Sequence, residues 1–258
     1  MTDVTGRGAP AGARAVQRAL GLLHSFQDNG PDLSASELAR RTGLTVSTAH
    51  RLARTLLSME FLEQDHLTNR YRLGPAVAEL GQLSFHQRGL HLAGPELAVL
   101  ARRTGATADL AIRSGGHALI LVGGSVRPDT GLGLRRPLHS TALGKVLLAW
   151  PELADWSEPE PELTAFTDRT ITDPAALRAE LARVQAAGFA INDGESAPGV
   201  RSLAVPVLDV AGQARFALAV RGTPEQLPKE RFAAVLREAH GCAAALRVLL
   251  LPPEQRPG

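Results

Sequence analysis

Cysteine is almost absent from the 258-residue chain, where Cys242 stands alone. A single thiol excludes an internal disulfide framework and any cysteine-rich zinc site, both of which need several thiolates at fixed spacing. Its ordinary use is as a small core filler. Long apolar runs are missing too: Ala118 to Val122 and Val146 to Trp150 are only five residues each, against the roughly 20 that a membrane-spanning helix requires. The opening MTDVTGRGAPAGARAVQRAL has no apolar segment between a charged start and a small-residue cleavage site, so it does not read as a secretory signal. A cytoplasmic protein without a membrane partner is expected. Lysine is scarce, at two of the 28 basic residues, and the formal charge is only +2. So mild a balance says little about partners, and the positions of the arginines carry the information.

What is present is ordinary for a folded protein. Hydrophobic residues make up 44% and charged residues 21%, which argues against disorder, collagen-like repeats and coiled-coil arrays. At about 150 residues per domain, the length allows two domains.

The N-terminal third carries the sharpest pattern. Val16, Ala19, Leu20, Leu23 and Phe26 recur at three- and four-residue spacing and predict a helix over 13–26. Ser34-Ala35-Ser36-Glu37 matches a capping box, in which the serine hydroxyl and the glutamate three residues on satisfy amides at a helix start. A short helix over 35–42 follows. Gly43 suits the left-handed turn that ends it, and Thr45 can cap the next helix. This is helix-turn-helix grammar, over about 34–58. In the helix from Val46 to Met59, a 100° wheel sets Ala49, Leu52, Ala53 and Leu56 against Ser47, Arg51, Arg54 and Ser58. A solvated face normally mixes both signs, but this one has two arginines and no acid. Guanidinium donors for base edges and small hydroxyls for phosphates are what a major-groove face needs. Phe61 to Gln64 and Tyr71 to Leu73 then predict a hairpin, the wing of a winged helix, with Arg70 and Arg72 as candidate backbone contacts.

The run LSASELARRTGLTVSTAHRLARTLLSMEFLEQD, followed by NRYRLG, resembles the DNA-binding domain of the IclR family of bacterial transcription regulators. The similarity is greatest at Glu37-Leu38-Ala39, at Gly43-Leu44 and over Ser47-Thr48-Ala49-His50-Arg51-Leu52. The resemblance implies that Ser47, Thr48 and Arg51 lie at the DNA interface. His50 flanks the polar face, where it either contacts a phosphate or packs on the first helix.

A linker helix over 75–89 is expected, with Ala76, Val77, Leu80, Leu83 and Ser84 ahead of Gly89. Pro95 is read as opening a helix to Thr104. Strands over 107–114 and 117–123 flank Gly115-Gly116, a pair suited to the positive φ of a tight hairpin. Asp173-Pro174 starts a helix that Gly188 stops, and strands over 189–193, 200–207 and 213–221 precede a last helix from Pro228 to about Leu250. Helices flanking hairpin-connected strands favour an antiparallel α+β domain. No GxGxxG follows a strand, and Gly131-Leu132-Gly133 is too short for a nucleotide fingerprint. No cofactor and no metal are expected. The segment Pro137 to Lys145, then Gly188 to Glu195 and Gly199 to Val207, also resemble the IclR effector-binding domain. That resemblance implies a GAF-like fold with a pocket for a small metabolite, often carboxylated or aromatic.

The expected organisation is therefore α+β: a disordered tail over 1–12, a winged helix-turn-helix over 13–74, the linker helix, an effector-binding domain over 90–251 and a tail over 252–258. His139, Ser140 and Thr141 sit where a central helix begins, and its free amides and positive end make an anion site. The plain alternative for Ser140 is an N-cap. By resemblance Ser202, Ala219 and Arg221 lie near the cavity, and Asp193 is set with them. The family often has small or hydroxyl residues at positions 219 and 221. An inward Arg221 suits bidentate capture of a carboxylate, whereas an outward one, the more ordinary case, is surface charge. Catalysis is not expected, because His139, Ser140, Asp193 and Cys242 match no nucleophile elbow, HExxH or paired-cysteine pattern. A winged helix used only for protein contacts would leave Arg51 and Arg54 unexplained. The expected partners are double-stranded DNA with a pseudo-palindromic operator, a small effector, and a second copy or more in a dimer or tetramer, with repression the family's usual sign.

Overall fold

The computed structural model describes residues 11–27, 32–126, 134–150 and 163–256. The chain divides after Phe85 into two compact units. The first contains α1 (Ala11–His24), α2 (Ala35–Thr42), α3 (Val46–Ser58) and the antiparallel pair β1 (Leu62–Gln64) and β2 (Tyr71–Leu73). The capping box forms as expected: Ser34 Oγ accepts the Glu37 amide at 3.2 Å and Glu37 Oε2 accepts the Ser34 amide at 2.8 Å. Gly43, at φ +66°, turns the chain out of α2. Thr45 caps α3 by accepting the Thr48 amide. Leu22, Leu38, Ala49, Leu52, Ala53, Leu62 and Tyr71 close the core.

The apolar stripe expected along α1 forms in its second half, where Ala19, Leu23 and Phe26 pack on the core, and is corrected at Val16 and Leu20. Leu22 is the fully buried residue, while Val16 and Leu20 are 59% and 50% exposed. So small a core covers only the C-terminal half of α1, and the periodicity runs on past the surface that its partners can shield.

Helix α4 (Pro75–Gln87) leads out of the first unit and buries none of its residues. The second unit contains α5 (Leu90–Thr104), β3 (Thr107–Ser114), β4 (His117–Gly123), β5 (Arg135–Pro137), α6 (Ala142–Ala149), α7 (Pro174–Ala187), β6 (Ala190–Asp193), β7 (Arg201–Leu208), β8 (Ala214–Gly222) and α8 (Phe232–Leu250). The six strands form one antiparallel sheet in the order β5-β4-β3-β8-β7-β6, which is the α+β class expected. Helix α5 begins at Leu90, so Pro95 lies inside it rather than at its start. An interior proline costs about 3 kcal/mol, and burial of Leu90 and Ala93 holds the first turn against it. Of the two hairpin glycines only Gly115, at φ +56°, uses the left-handed region.

Direct antiparallel partners share a face of the sheet. One face presents Ala111, Ala118, Ile120, Ala204, Ala217 and Ala219 to α6. Small side chains there let the helix approach closely. The alternate residues Leu110, Leu203, Val205, Leu218 and Val220 are buried on the other face, where α5 and α8 pack. Residues 253–255, expected in a tail, form a 3-10 turn, and Gln255 O accepts the Val210 amide at 2.9 Å. The tail expected over 1–12 is corrected at its end, where residues 11 and 12 begin α1; residues 1–10, Gly131-Leu132-Gly133 and residues 257–258 lie outside the described residues.

Candidate functional site

Two surfaces bring the singled-out residues together. In the first unit, α3 packs on α1 and α2 through Ala49, Leu52, Ala53 and Leu56, which turns Ser47, His50, Arg51, Arg54 and Ser58 outward. Thr48 is half-buried, and its hydroxyl accepts from Thr45 Oγ1 at 2.8 Å. His50 is exposed, so the option of packing on α1 falls away. Among the described residues Arg51 and Arg54 pair with no carboxylate, which leaves an exposed cationic face on a helix of 13 residues. Beside it lies a cleft of about 410 Å³ lined by Arg14, Arg18, Thr48 and Arg51.

The two wing arginines differ. Arg70 is half-buried and bridges Asp32 and Glu37, the latter at 2.8 Å, so it ties the wing to the capped start of α2. Two carboxylates therefore already engage the Arg70 guanidinium that was expected to contact phosphate. Arg72 is paired across the hairpin with Glu63, and both are exposed. An exposed pair is worth only about 0–1 kcal/mol, so Arg72 can exchange its partner for a phosphate at little cost.

In the second unit, a cavity of about 200 Å³ lies between the sheet and the start of α6. Cross-strand register builds its floor. Asn192, Ser202 and Arg221 pair in a row across β6, β7 and β8, and Ala219 pairs with Asp109 in the adjacent row. Arg136, Pro137, Thr141 and Leu143 line it as well, and Phe166, Ser196, Ala197 and Val200, all at least partly exposed, form the solvent-facing side taken as its mouth. Arg221 therefore faces inward, contrary to the more ordinary surface reading. Its Nη2 donates to Ser125 Oγ at 2.9 Å, and its Nε stands 3.9 Å from Asp109. Asp109 is buried, and Ser125 donates to both of its oxygens, through the amide at 2.9 Å and the hydroxyl at 2.6 Å. Arg136 lines the same space. Burial, then the like charge of Arg221, pushes its pKa down. Among the described residues, the cavity is thus lined by two guanidiniums and by one carboxylate, Asp109, which already accepts twice from Ser125.

Sequence profiles for the IclR helix-turn-helix domain and for the C-terminal domain of the bacterial transcriptional regulator IclR match residues 15–66 and 86–248. The chain belongs to the IclR family. The HTH-type transcriptional regulator BhcR of Paracoccus denitrificans is 34% identical over 87% of this chain and 82% of its own length. The HTH-type transcriptional repressor AllR of Klebsiella pneumoniae is 31% identical over 90% and 91%. A crystal structure of an IclR-type regulator from Silicibacter sp. TM1040 superposes with a TM-score of 0.80 at 30% identity, over 95% of this chain and 100% of that one. The protein is accordingly an IclR-type transcription regulator with a DNA-binding and an effector-binding domain, not an enzyme.

Within this IclR frame the expected effector residues separate. Thr141, Ser202, Ala219 and Arg221 line the cavity. Thr141, not Ser140, caps α6, accepting the Gly144 amide at 3.0 Å and donating to Pro137 O at 2.7 Å. Ser140 is buried with its hydroxyl unpartnered, but it does not line the cavity. His139 supports the mouth from behind: a ring nitrogen contacts Thr164 O at 2.9 Å, and the ring stacks on Phe166 at 5.8 Å. Asp193 is absent from the cavity. It pairs with Arg201 at 2.8 Å, which pulls its pKa down, and its neighbour Asn192 turns in instead. Sequence reasoning missed Asn192, Arg136 and Asp109 in the cavity, and Arg14 and Arg18 beside α3. For the last two the signal was present: two arginines four residues apart in a helix without an acid. Among the described residues no cluster of three or more His, Cys, Asp or Glu could hold a metal, and no helix is long and apolar enough to cross a membrane.

Proposed function

We propose that the protein is a repressor whose hold on its operator is set by a small carboxylate, aliphatic or aromatic, bound in the cavity beneath α6. The observation that carries this class is the placement of two guanidiniums, Arg136 and Arg221, on one small cavity, close enough that the charge of one lowers the pKa of the other. An anion between the two arginines offsets their repulsion and accepts charge-assisted hydrogen bonds. Phe166, Leu143 and Ile120 supply apolar contact for the rest of the molecule, and about 200 Å³ limits it to a small one.

On the DNA side, Ser47, Thr48, His50, Arg51 and Arg54 enter the major groove while Arg72, Arg14 and Arg18 contact phosphates. The half-exposed Leu80 and Leu83 of α4, a helix without buried residues, support self-association. A dimer, or a dimer of dimers, then sets two copies of α3 in successive grooves of a pseudo-palindromic operator. The protein acts in the cytoplasm, where that operator is. Regulation requires the carboxylate to prefer one arrangement of the protein, since equal binding shifts nothing.

The test is binding to the intergenic duplex upstream of the protein's own gene at about 150 mM salt, where weak electrostatic binding is suppressed. Acetate, pyruvate, benzoate, 4-hydroxybenzoate and benzamide are titrated in. At least one carboxylate should release the duplex, uncharged benzamide should not, and Arg221→Ala should keep DNA affinity while losing the response. Release by benzamide as readily as by benzoate refutes the anion reading.

A further inference from the structure

Lys145 lies on α6 among alanine, leucine and valine, and is 1% exposed. Its ammonium donates to Glu180 Oε1 of α7 at 2.9 Å and to Glu195 Oε1 at 2.7 Å. Glu195 belongs to the 194–200 segment that joins β6 to β7. Desolvating such a pair can cost more than its Coulomb attraction returns. Two observations put this pair on the costly side. Burial holds the Glu195 carboxyl above its ordinary range despite the cation, and its Oε2 is buried without a partner. The charged groups around it are Lys145 from α6 and Glu180 and Arg183 from α7. The cost falls on Glu195 and not on Glu180, whose carboxyl, despite burial, Arg183 and Lys145 hold below its ordinary range, so the Lys145–Glu195 tie itself adds little stability. What it supplies is position, by tying a loop to a packed helix.

The loop so tied carries one side of the cavity's mouth. Asn192 Oδ1 accepts the Glu195 amide at 2.8 Å, and Asn192 Nδ2 donates to Ser196 Oγ at 2.7 Å, next to Ala197 at the cavity wall. The opposite side is sewn to the same point. Thr167 Oγ1 donates to Gly194 O and Thr170 Oγ1 to Glu195 O, each at 2.7 Å, which brings Phe166 into place. Both lips of the mouth converge on Glu195, and Lys145 joins that point to α6.

We propose that Lys145 is a positioning residue that, through Glu195, holds the 194–200 loop and the Phe166 segment closed over the cavity. It touches no part of the cavity itself. This rests on the reading of the cavity as the effector site, so the experiment separates the two.

Full-length wild type, Glu195→Gln and the double variant Lys145→Met/Glu195→Met are compared by amide hydrogen exchange without ligand, alongside urea denaturation. Neither variant strands a buried charge: Lys145 keeps Glu180 in the first, and Glu180 keeps Arg183 in the second. Exchange over 192–199 and 166–170 should speed up about tenfold while β7 and β8 stay protected and global stability holds or rises. Any panel carboxylate that binds wild type should dissociate about tenfold faster from both variants. Unchanged loop exchange in both variants overturns the proposal, as does exchange that rises only in step with a fall in global stability. If no carboxylate binds wild type, the effector class falls while the exchange data still decide the role of Lys145.

Discussion

Arg51 and the pair Arg14 and Arg18 share one cleft, yet they should fail in different ways when removed. Arg14 and Arg18 are exposed, four residues apart on α1, and among the described residues neither pairs with a carboxylate. If both contact phosphate, the double substitution to alanine weakens binding to every duplex alike. Each neutralised phosphate contributes about 0.9 to the slope of log K against log salt. Losing two contacts should flatten that slope by about two per protomer. Between roughly 50 and 200 mM salt, the variant's affinity should then fall about tenfold less than wild type's. Arg51 stands mid-helix on the exposed face of α3, where a bidentate contact to a base edge discriminates by about 1–3 kcal/mol. Arg51→Ala should relax specificity at one position of each half-site and change the slope by less than about one. Fluorescence anisotropy on a labelled operator and its single-base variants, across a salt series, reads both effects. None of the three side chains belongs to the core, so unfolding temperatures should match wild type. An unchanged slope in the double variant would remove α1 from the interface. A uniform loss with a flatter slope in Arg51→Ala would reassign that residue to phosphate.

Gly144 in the first turn of α6 leaves no room for a methyl group: a Cβ would stand 2.2 Å from Leu138 O and 2.3 Å from Leu138 Cα. Alanine gains up to about 1 kcal/mol of helix propensity, but backbone cannot yield as a flexible side chain can, and overpacking costs about 1–3 kcal/mol or more. Gly144→Ala should lower stability by about 2 kcal/mol in urea denaturation and displace Thr141 and Leu143 at the cavity; a stability at or above wild type would contradict the packing argument. Asp193, held below the ordinary carboxylate range chiefly by its hydrogen bond from Arg201, contributes stability that is present above its unfolded pKa near 3.9 and lost as pH falls through the lower folded value. Wild type should exceed Asp193→Asn by a constant margin between pH 5 and 7, as rough bounds, and the two should converge on further acidification. A margin that grows as pH falls would reverse the sign of the argument.

The parts that were legible in the sequence are those encoded within a few residues of themselves. The capping box at Ser34 and Glu37, the turn at Gly43, the cap at Asp173 and the wheel of α3 depend on i, i+3 and i, i+4 relations. A chain of one sequence displays these in full. The cavity depends instead on which face each strand turns inward, and a shift of one residue reverses that choice for a whole strand. That is why the sequence points to Asp193 where the fold turns Asn192 inward: only the pairing of Asn192 with Ser202, and of Ser202 with Arg221, fixes the parity. The same register turns Arg221 inward over Asp109. Partners far along the chain are equally silent. Arg70 reads as a free wing cation until the fold brings Asp32 and Glu37 to it across 38 and 33 residues. Lys145 reads as one polar residue in an apolar helix until Glu180 and Glu195 arrive from 35 and 50 residues away. In both cases the sequence displays a charge and the fold decides whether it is available. On α3 the fold leaves Arg51 and Arg54 outward and, among the described residues, paired with no carboxylate, which is the state in which a guanidinium is available to an external polyanion.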